Sequence, residues 1–192
     1  SIMSDPTKDS YYTAAKAPYT ATFNTFVPAR GTMILRDPAL ISEPRHPTSI
    51  IKFLENLIPN RQRLEWFLQF IRHKHLYYDY SPIYIVFAGV GGAGKGVLVN
   101  IILQYFAGLE RIQDIDLEKL QNNFNAWKAA TDYAHLDEAG EGMTRRETAL
   151  IVAELKKLTG SPMASITYKG KDVSGKDNVK HYITPILNTN LD

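Results

Sequence analysis

A chain of 192 residues, 44% hydrophobic and 22% charged, holds enough apolar material for one core of ordinary size, which excludes global disorder. A formal net charge of +2 and an isoelectric point near 8.6 lie too close to neutrality to argue for nucleic acid, so only the local arrangement of charge can do so. The lack of cysteine excludes a disulfide framework and thiolate metal sites, and the longest strongly apolar run, residues 83–90, falls well short of the roughly 20 residues of a membrane helix.

Residues 1–46, rich in Tyr, Thr, Ala and Pro, hold no sustained period and read as an extended arm. From Thr48 to Ile58 the apolar residues Ile50, Ile51, Leu54, Leu57 and Ile58 share one helical face, with Pro47 before and Pro59 after. Asn60 is placed to cap a second helix carrying Leu64, Phe67, Leu68 and Ile71, ahead of Tyr77, Tyr78 and Tyr80. Residues 47–80 therefore predict a helical hairpin, and residues 81–192 the core. With no membrane span and no secretory pattern, the chain reads as soluble and intracellular.

The core opens on Ile83-Tyr84-Ile85-Val86-Phe87, a short β-favouring run, followed by glycines and a helical segment from Lys95 to Phe106. A second buried strand is expected at Tyr133-Ala134-His135-Leu136 and a third at 182–187, where Pro185 favours an edge or a bulge over a central position. Between them Thr144-Arg145-Arg146-Glu147 has capping-box spacing and opens a helix with Leu150, Ile151 and Leu155 on one face. Strands alternating with helices predict an α/β layer with a largely parallel sheet.

Gly89-Val90-Gly91-Gly92-Ala93-Gly94-Lys95-Gly96 matches the phosphate-loop pattern through its lysine and sits between strand and helix, as that pattern requires. Glycines let backbone N–H groups converge on phosphate oxygens, the helix that follows adds its dipole, and Lys95 supplies charge at the β/γ-phosphates. The segment from Gly89 through Gly91, Gly92, Ala93, Gly94, Lys95 and Gly96 to Val97 is thus the expected nucleotide site. The Ser or Thr that normally follows the lysine and ligates Mg²⁺ is Gly96 here. Two readings stay open, an ATPase with an extra metal-bound water and a nucleotide-binding domain with weak hydrolysis.

Asp137 and Glu138 close an apolar strand, where open α/β sheets place ligand chemistry, and resemble a Walker B pair. Asp137 is expected to hold Mg²⁺ directly or through water, and Glu138 to polarise the water attacking the γ-phosphate. His135 reads as a packed or hydrogen-bonded histidine, and His73, His75 and His181 show no metal spacing. Asn190, with Asn188 as competitor, stands where an amide can donate to a γ-phosphate and accept from the attacking water.

In this order, within about a hundred residues, the three elements resemble motifs A, B and C of superfamily 3 helicases, and most nearly the phage or viral primase-helicases of the D5-like or DUF5906 type. Phe23-Asn24-Thr25-Phe26, the Gly-Lys-Gly form of the loop and Lys169-Gly170-Lys171-Asp172 add to a resemblance that spans residues 20–192. It implies a P-loop NTPase (AAA+-like) fold that uses ATP and Mg²⁺. It also implies a ring homo-oligomer, usually a hexamer, that draws single-stranded DNA through its channel. A primase-polymerase domain often shares the polypeptide in such families, and the compartment would be a host cytoplasm.

Under that resemblance residues 168–180 take the pore-hairpin position, with Lys169, Lys171 and Lys176 tracking phosphates and Tyr168 stacking on a base. An arginine finger is expected beyond Asp192, with Arg145 and Arg146 as fallback candidates and Arg61, Arg63, Arg72 and Lys74 as a solvated or inter-subunit face. The competing readings are a small-molecule or nucleotide kinase, which shares the phosphate loop, and a nucleotide-gated assembly module.

Overall fold

The computed structural model describes residues 2–3, 13–14, 21–24, 47–122, 124–140, 142–167 and 177–190. Three short strands come first, β1 (Ile2–Met3), β2 (Thr13–Ala14) and β3 (Ala21–Asn24), with β3 between the other two. Helices α1 (Thr48–Leu57) and α2 (Arg61–Tyr77) follow as predicted, and the Asn60 side chain accepts from the Arg63 N–H at 3.0 Å. On α2 Leu64, Phe67 and Ile71 are buried, whereas Leu68 faces solvent.

Strand β4 (Ile85–Gly89) starts two residues later than its apolar run and leads through the glycine loop into α3, residues 95–107, whose middle turn Leu98–Leu103 is wound as a π-helix. Next come β5 (Ile112–Asp114), α4 (Leu117–Gln121) and β6 (Tyr133–Leu136). Helix α5 (Arg145–Gly160) is opened by Thr144, whose hydroxyl accepts from the Glu147 N–H while Glu147 reaches back to the Thr144 N–H, the expected capping box. The antiparallel pair β7 (Met163–Ile166) and β8 (Asp177–Lys180) precedes the last strand, β9 (Thr184–Asn190).

The central sheet is a parallel sheet of four strands in the order β4-β9-β6-β5. Both its faces are covered, as an all-parallel sheet requires. One face carries α1, α2 and α3, with Leu54, Phe67, Leu98, Val99 and Leu103 packed on Ile85, Phe87 and Ile186; the other carries α5, with Ile151, Leu155 and Leu158 on Ala134, Leu136 and Ile183. Full burial of each large aliphatic side chain contributes about 1.5–3 kcal/mol, so the hairpin and the sheet form one core.

Pro185 corrects an expectation, since it lies in a strand flanked on both sides. The Thr184 N–H donates to the Asp132 carbonyl on the β6 side, at 2.8 Å, so the nitrogen of the next residue faces β4. On that side the ladder begins only at Ile186 opposite Ile85, and the missing N–H falls just outside it.

Candidate functional site

Parallel pairing brings all four carboxyl ends to one edge of the sheet, and the strand order decides what stands beside what. Gly89 at the end of β4 is level with Asn190 on β9, Leu136 before the carboxylate pair is level with Leu187, and Asp114 at the end of β5 is level with His135. The chain segments that supply the glycine loop, the second asparagine and the Asp-Glu pair are therefore neighbours in space.

Two loop glycines adopt left-handed backbone, Gly92 at φ 76° and Gly94 at φ 95°. At Gly94 a Cβ would also lie 2.7 Å from the Phe53 ring, which α1 presses against the loop, so a side chain is excluded twice. Gly96 differs, because a Cβ there meets nothing within 4 Å and packing is not what keeps a hydroxyl-bearing residue out. Lys95 begins α3 and is buried, with its Nζ donating to the Gly89 carbonyl at 2.9 Å, the Val90 carbonyl at 2.9 Å and Asn190 Oδ1 at 2.8 Å. All three acceptors are neutral, so the ammonium is held in a shielded place by dipoles, a setting receptive to an anion.

Beyond β6 the chain turns sharply. Glu138 is a non-glycine residue in the left-handed region, at φ 51°, and the Ala139 N–H anchors the turn to the Asn188 carbonyl at 2.8 Å. Asp137 and Glu138 are both exposed. The Asn188 amide nitrogen, buried, donates to Asp137 Oδ1 at 3.2 Å and to His135 Nε2 at 2.8 Å, and His135 Nδ1 lies 2.7 Å from Asp114 Oδ1. The two asparagines thus divide the site, Asn190 touching the loop lysine and Asn188 the first carboxylate. Sequence reasoning read His135 as packed or hydrogen-bonded, and it is both, but missed Asp114 and Phe53 altogether.

Exposed carboxylates at the same sheet end as an anion-receptive loop suit Mg²⁺, which keeps several waters and shares its remaining positions with phosphate oxygens. Among the described residues no group of three His, Asp or Glu side chains could cage a metal by itself. A cavity of about 680 Å³ borders the other side of the loop, lined by Pro59, Trp66, Tyr84, Val90, Ala93 and Lys95.

Lys169, Lys171, Lys176 and Tyr168 lie outside the described residues, between the paired strands β7 and β8 in sequence. Arg145 and Arg146 are exposed on the first turn of α5. Arg111 is committed elsewhere, bound through Nε and a terminal nitrogen to the Asp132 carboxylate at 2.9 and 2.7 Å. No helix among the described residues is long and apolar enough to cross a membrane.

The sequence pattern of a protein family described as "Family of unknown function (DUF5906)" matches residues 87–192. No curated protein matches the chain. Among solved structures, it is similar to the apo structure of the NrS-1 C-terminal region, with a TM-score of 0.78 at 20% identity over 98% of this chain. A second form of that region matches with a TM-score of 0.77 at 19% identity. The likeness is one of fold, and the chain spans 42% of the length of those structures.

Proposed function

This chain belongs to the DUF5906 family, and on that premise we propose that it is the ATP-hydrolysing motor domain of a phage- or virus-type replicative DNA helicase with a P-loop NTPase (AAA+-like) core. The observation that carries the reading is the single sheet edge at which Lys95 is bonded to Asn190 while Asn188, two residues earlier on the same strand, is bonded to Asp137.

On this reading the backbone of residues 89–96 and the start of α3 cradle the phosphates, and Lys95 exchanges a carbonyl for a phosphate oxygen. The apolar cavity between the hairpin and β4 takes the base. Bound Mg²⁺ neutralises charge on the phosphates. Asp137 holds the metal directly or through water, Glu138 orients the attacking water, and Asn190, already on the lysine, reports the γ-phosphate to β9. In the assembled ring Lys169, Lys171 and Lys176 would contact single-stranded DNA, and Arg145 and Arg146 stand exposed for a neighbour's nucleotide. A primase-polymerase domain on the same polypeptide belongs to the same proposal.

Gly96 favours a second reading, a nucleotide-gated assembly module with weak hydrolysis. Steady-state ATPase assays on the full-length polypeptide, with and without single-stranded DNA, separate the two: DNA-stimulated turnover supports the motor, and ATP binding without turnover in the assembled protein supports the module. Glu138→Gln is expected to keep ATP binding and arrest hydrolysis. Hydrolysis at the wild-type rate by that variant would remove Glu138 from the chemistry.

A further inference from the structure

Behind Asp137 lies a row of polar groups that the reading above leaves unused. It crosses three neighbouring strands, from Asp114 on β5 through His135 on β6 to Asn188 on β9, and returns to Asp137 after β6. Its ends differ sharply from its middle, for the Asp114 side chain is 80% exposed and that of Asp137 66%, whereas His135 and Asn188 are 2% and 1% exposed. A buried imidazole and a buried amide in direct contact must match donor to acceptor, since neither can turn to water.

With the His135 ring neutral, donors and acceptors along the row match in one way. An ionised carboxylate only accepts, so Asp114 requires the proton of His135 on Nδ1. Nε2 is then a lone pair and accepts from the Asn188 amide. That contact fixes which way the amide points, nitrogen toward His135 and Asp137, and the Asp137 Oδ1 it meets is the oxygen taken up by the protein. Asn188 Oδ1 is left buried without a protein partner among the described residues. Turned the other way, the amide would set its oxygen against the Asp137 carboxylate and the Nε2 lone pair, three acceptors together. Hydrogen-bond partners of this kind set the orientation of metal-binding carboxylates and imidazoles.

We propose that Asp114 and His135 are positioning residues that orient the Asn188 amide, so that Asn188 pins one oxygen of Asp137 and leaves the other facing the metal. The proposal rests on the metal role given to Asp137 above. It is a matter of donor and acceptor identity and needs no change of protonation during turnover.

The test uses the full-length polypeptide and Mn²⁺ as a paramagnetic stand-in for Mg²⁺. Its affinity is measured by magnetic resonance titration with ATP present, beside ATP affinity in the absence of metal. His135→Leu and Asn188→Leu should weaken Mn²⁺ binding by about 10- to 100-fold with metal-free ATP affinity unchanged, and His135→Gln, which restores an acceptor near the Nε2 position, should recover most of the loss. Asp114→Ala, which takes the acceptor from the buried His135 Nδ1–H, should weaken Mn²⁺ in the same direction by a smaller factor, with folding checked by thermal melting. Nitrogen chemical shifts should show His135 as the neutral Nδ1–H tautomer.

Unchanged Mn²⁺ affinity in folded Asp114→Ala and His135→Leu, or an Nε2–H tautomer in the wild type, would overturn the proposal while leaving the motor reading intact if Asp137→Ala still loses Mn²⁺. Failure of the wild type to bind ATP and Mn²⁺ together would overturn both.

Discussion

The two ends of the central sheet are both polar and are built on opposite rules. At the amino ends of the strands the polar groups are buried and satisfied inside the protein: Arg111 and Asp132 form a two-pronged ion pair with side chains 8% and 0% exposed, and Lys74 of α2 donates to the Tyr182 carbonyl and lies over the Tyr133 ring, whose hydroxyl meets His75. At the carboxyl ends Asp114, Asp137 and Glu138 stand in solvent, and the one buried charge, Lys95, is answered by dipoles alone among its described partners. The first arrangement fastens the helical hairpin to the sheet and leaves nothing to bind. The second leaves its carboxylates open to solvent and its cation receptive to an anion.

The largest expected effect is on folding at the closed end. Asp132→Ala removes the carboxylate that binds the buried Arg111 guanidinium through two hydrogen bonds and should lower the unfolding free energy in urea by about 3–5 kcal/mol, whereas Asp137→Ala at the open end should stay within about 0.5 kcal/mol. Equal losses would erase the distinction between the ends.

A pH series sharpens it. Burial pushes Lys74 down from the ordinary lysine value of 10.5 to about 8, offset in part by the Asp132 carboxylate and reinforced by Arg111. Between those values the unfolded chain holds a proton that the folded one has released, so stability should rise from about pH 8 to about 10.5 and be flat in this respect below. The gain is at most about 3 kcal/mol and should vanish in Lys74→Met, which is read as a constant difference between the two proteins below pH 8 that changes above it. His181, also pushed down by burial, acts in the same direction on the acid side, where stability falls as its unfolded form takes up a proton.

On the proposed nucleotide role, Lys95→Ala at the open end should weaken ATP binding by about 1.5–3 kcal/mol, the range of a charged hydrogen bond, as read by calorimetric titration with thermal melting alongside. Gly94→Ala should lower stability in urea unfolding by at least the cost of a left-handed backbone, about 1–2 kcal/mol, because the Phe53 ring must also move. Pairing it with Phe53→Leu should recover the part of that loss due to the ring.

Much of this arrangement is legible in the residues alone. Period and capping give α1, α2 and α5, and β-favouring runs give β4, β6 and β9, because each of these elements buries a contiguous apolar set. Strand β5 escapes, since three residues with one apolar member, Ile112, carry no period, and it exists because β6 offers it a ladder. The candidate loop and carboxylates are visible because their chemistry demands particular residue types in sequence order. The Asp114–His135–Asn188 row is invisible because its members are separated by 21 and 53 residues and meet only through strand register. Pro185 misleads for a related reason, as a residue-level rule cannot know where a neighbouring ladder begins.

The ladder between β4 and β9 joins Ile85 to Ile186 and Gly89 to Asn190, so each of its pairs spans about a hundred residues of chain. On a ribosome adding roughly 5–20 residues per second, the strand bearing the glycine loop emerges some 5–20 seconds before the strand that pairs with it. During that interval Ile85 and Phe87 have the hairpin, already made, and the helix α3 that follows them to cover them. The packing of Phe67 on Phe87, ring edge to ring face at 5.7 Å between centroids, then serves as a holding contact for a nascent strand. Phe67→Ala would be felt during synthesis, as a lower soluble yield, beyond its effect on the finished protein.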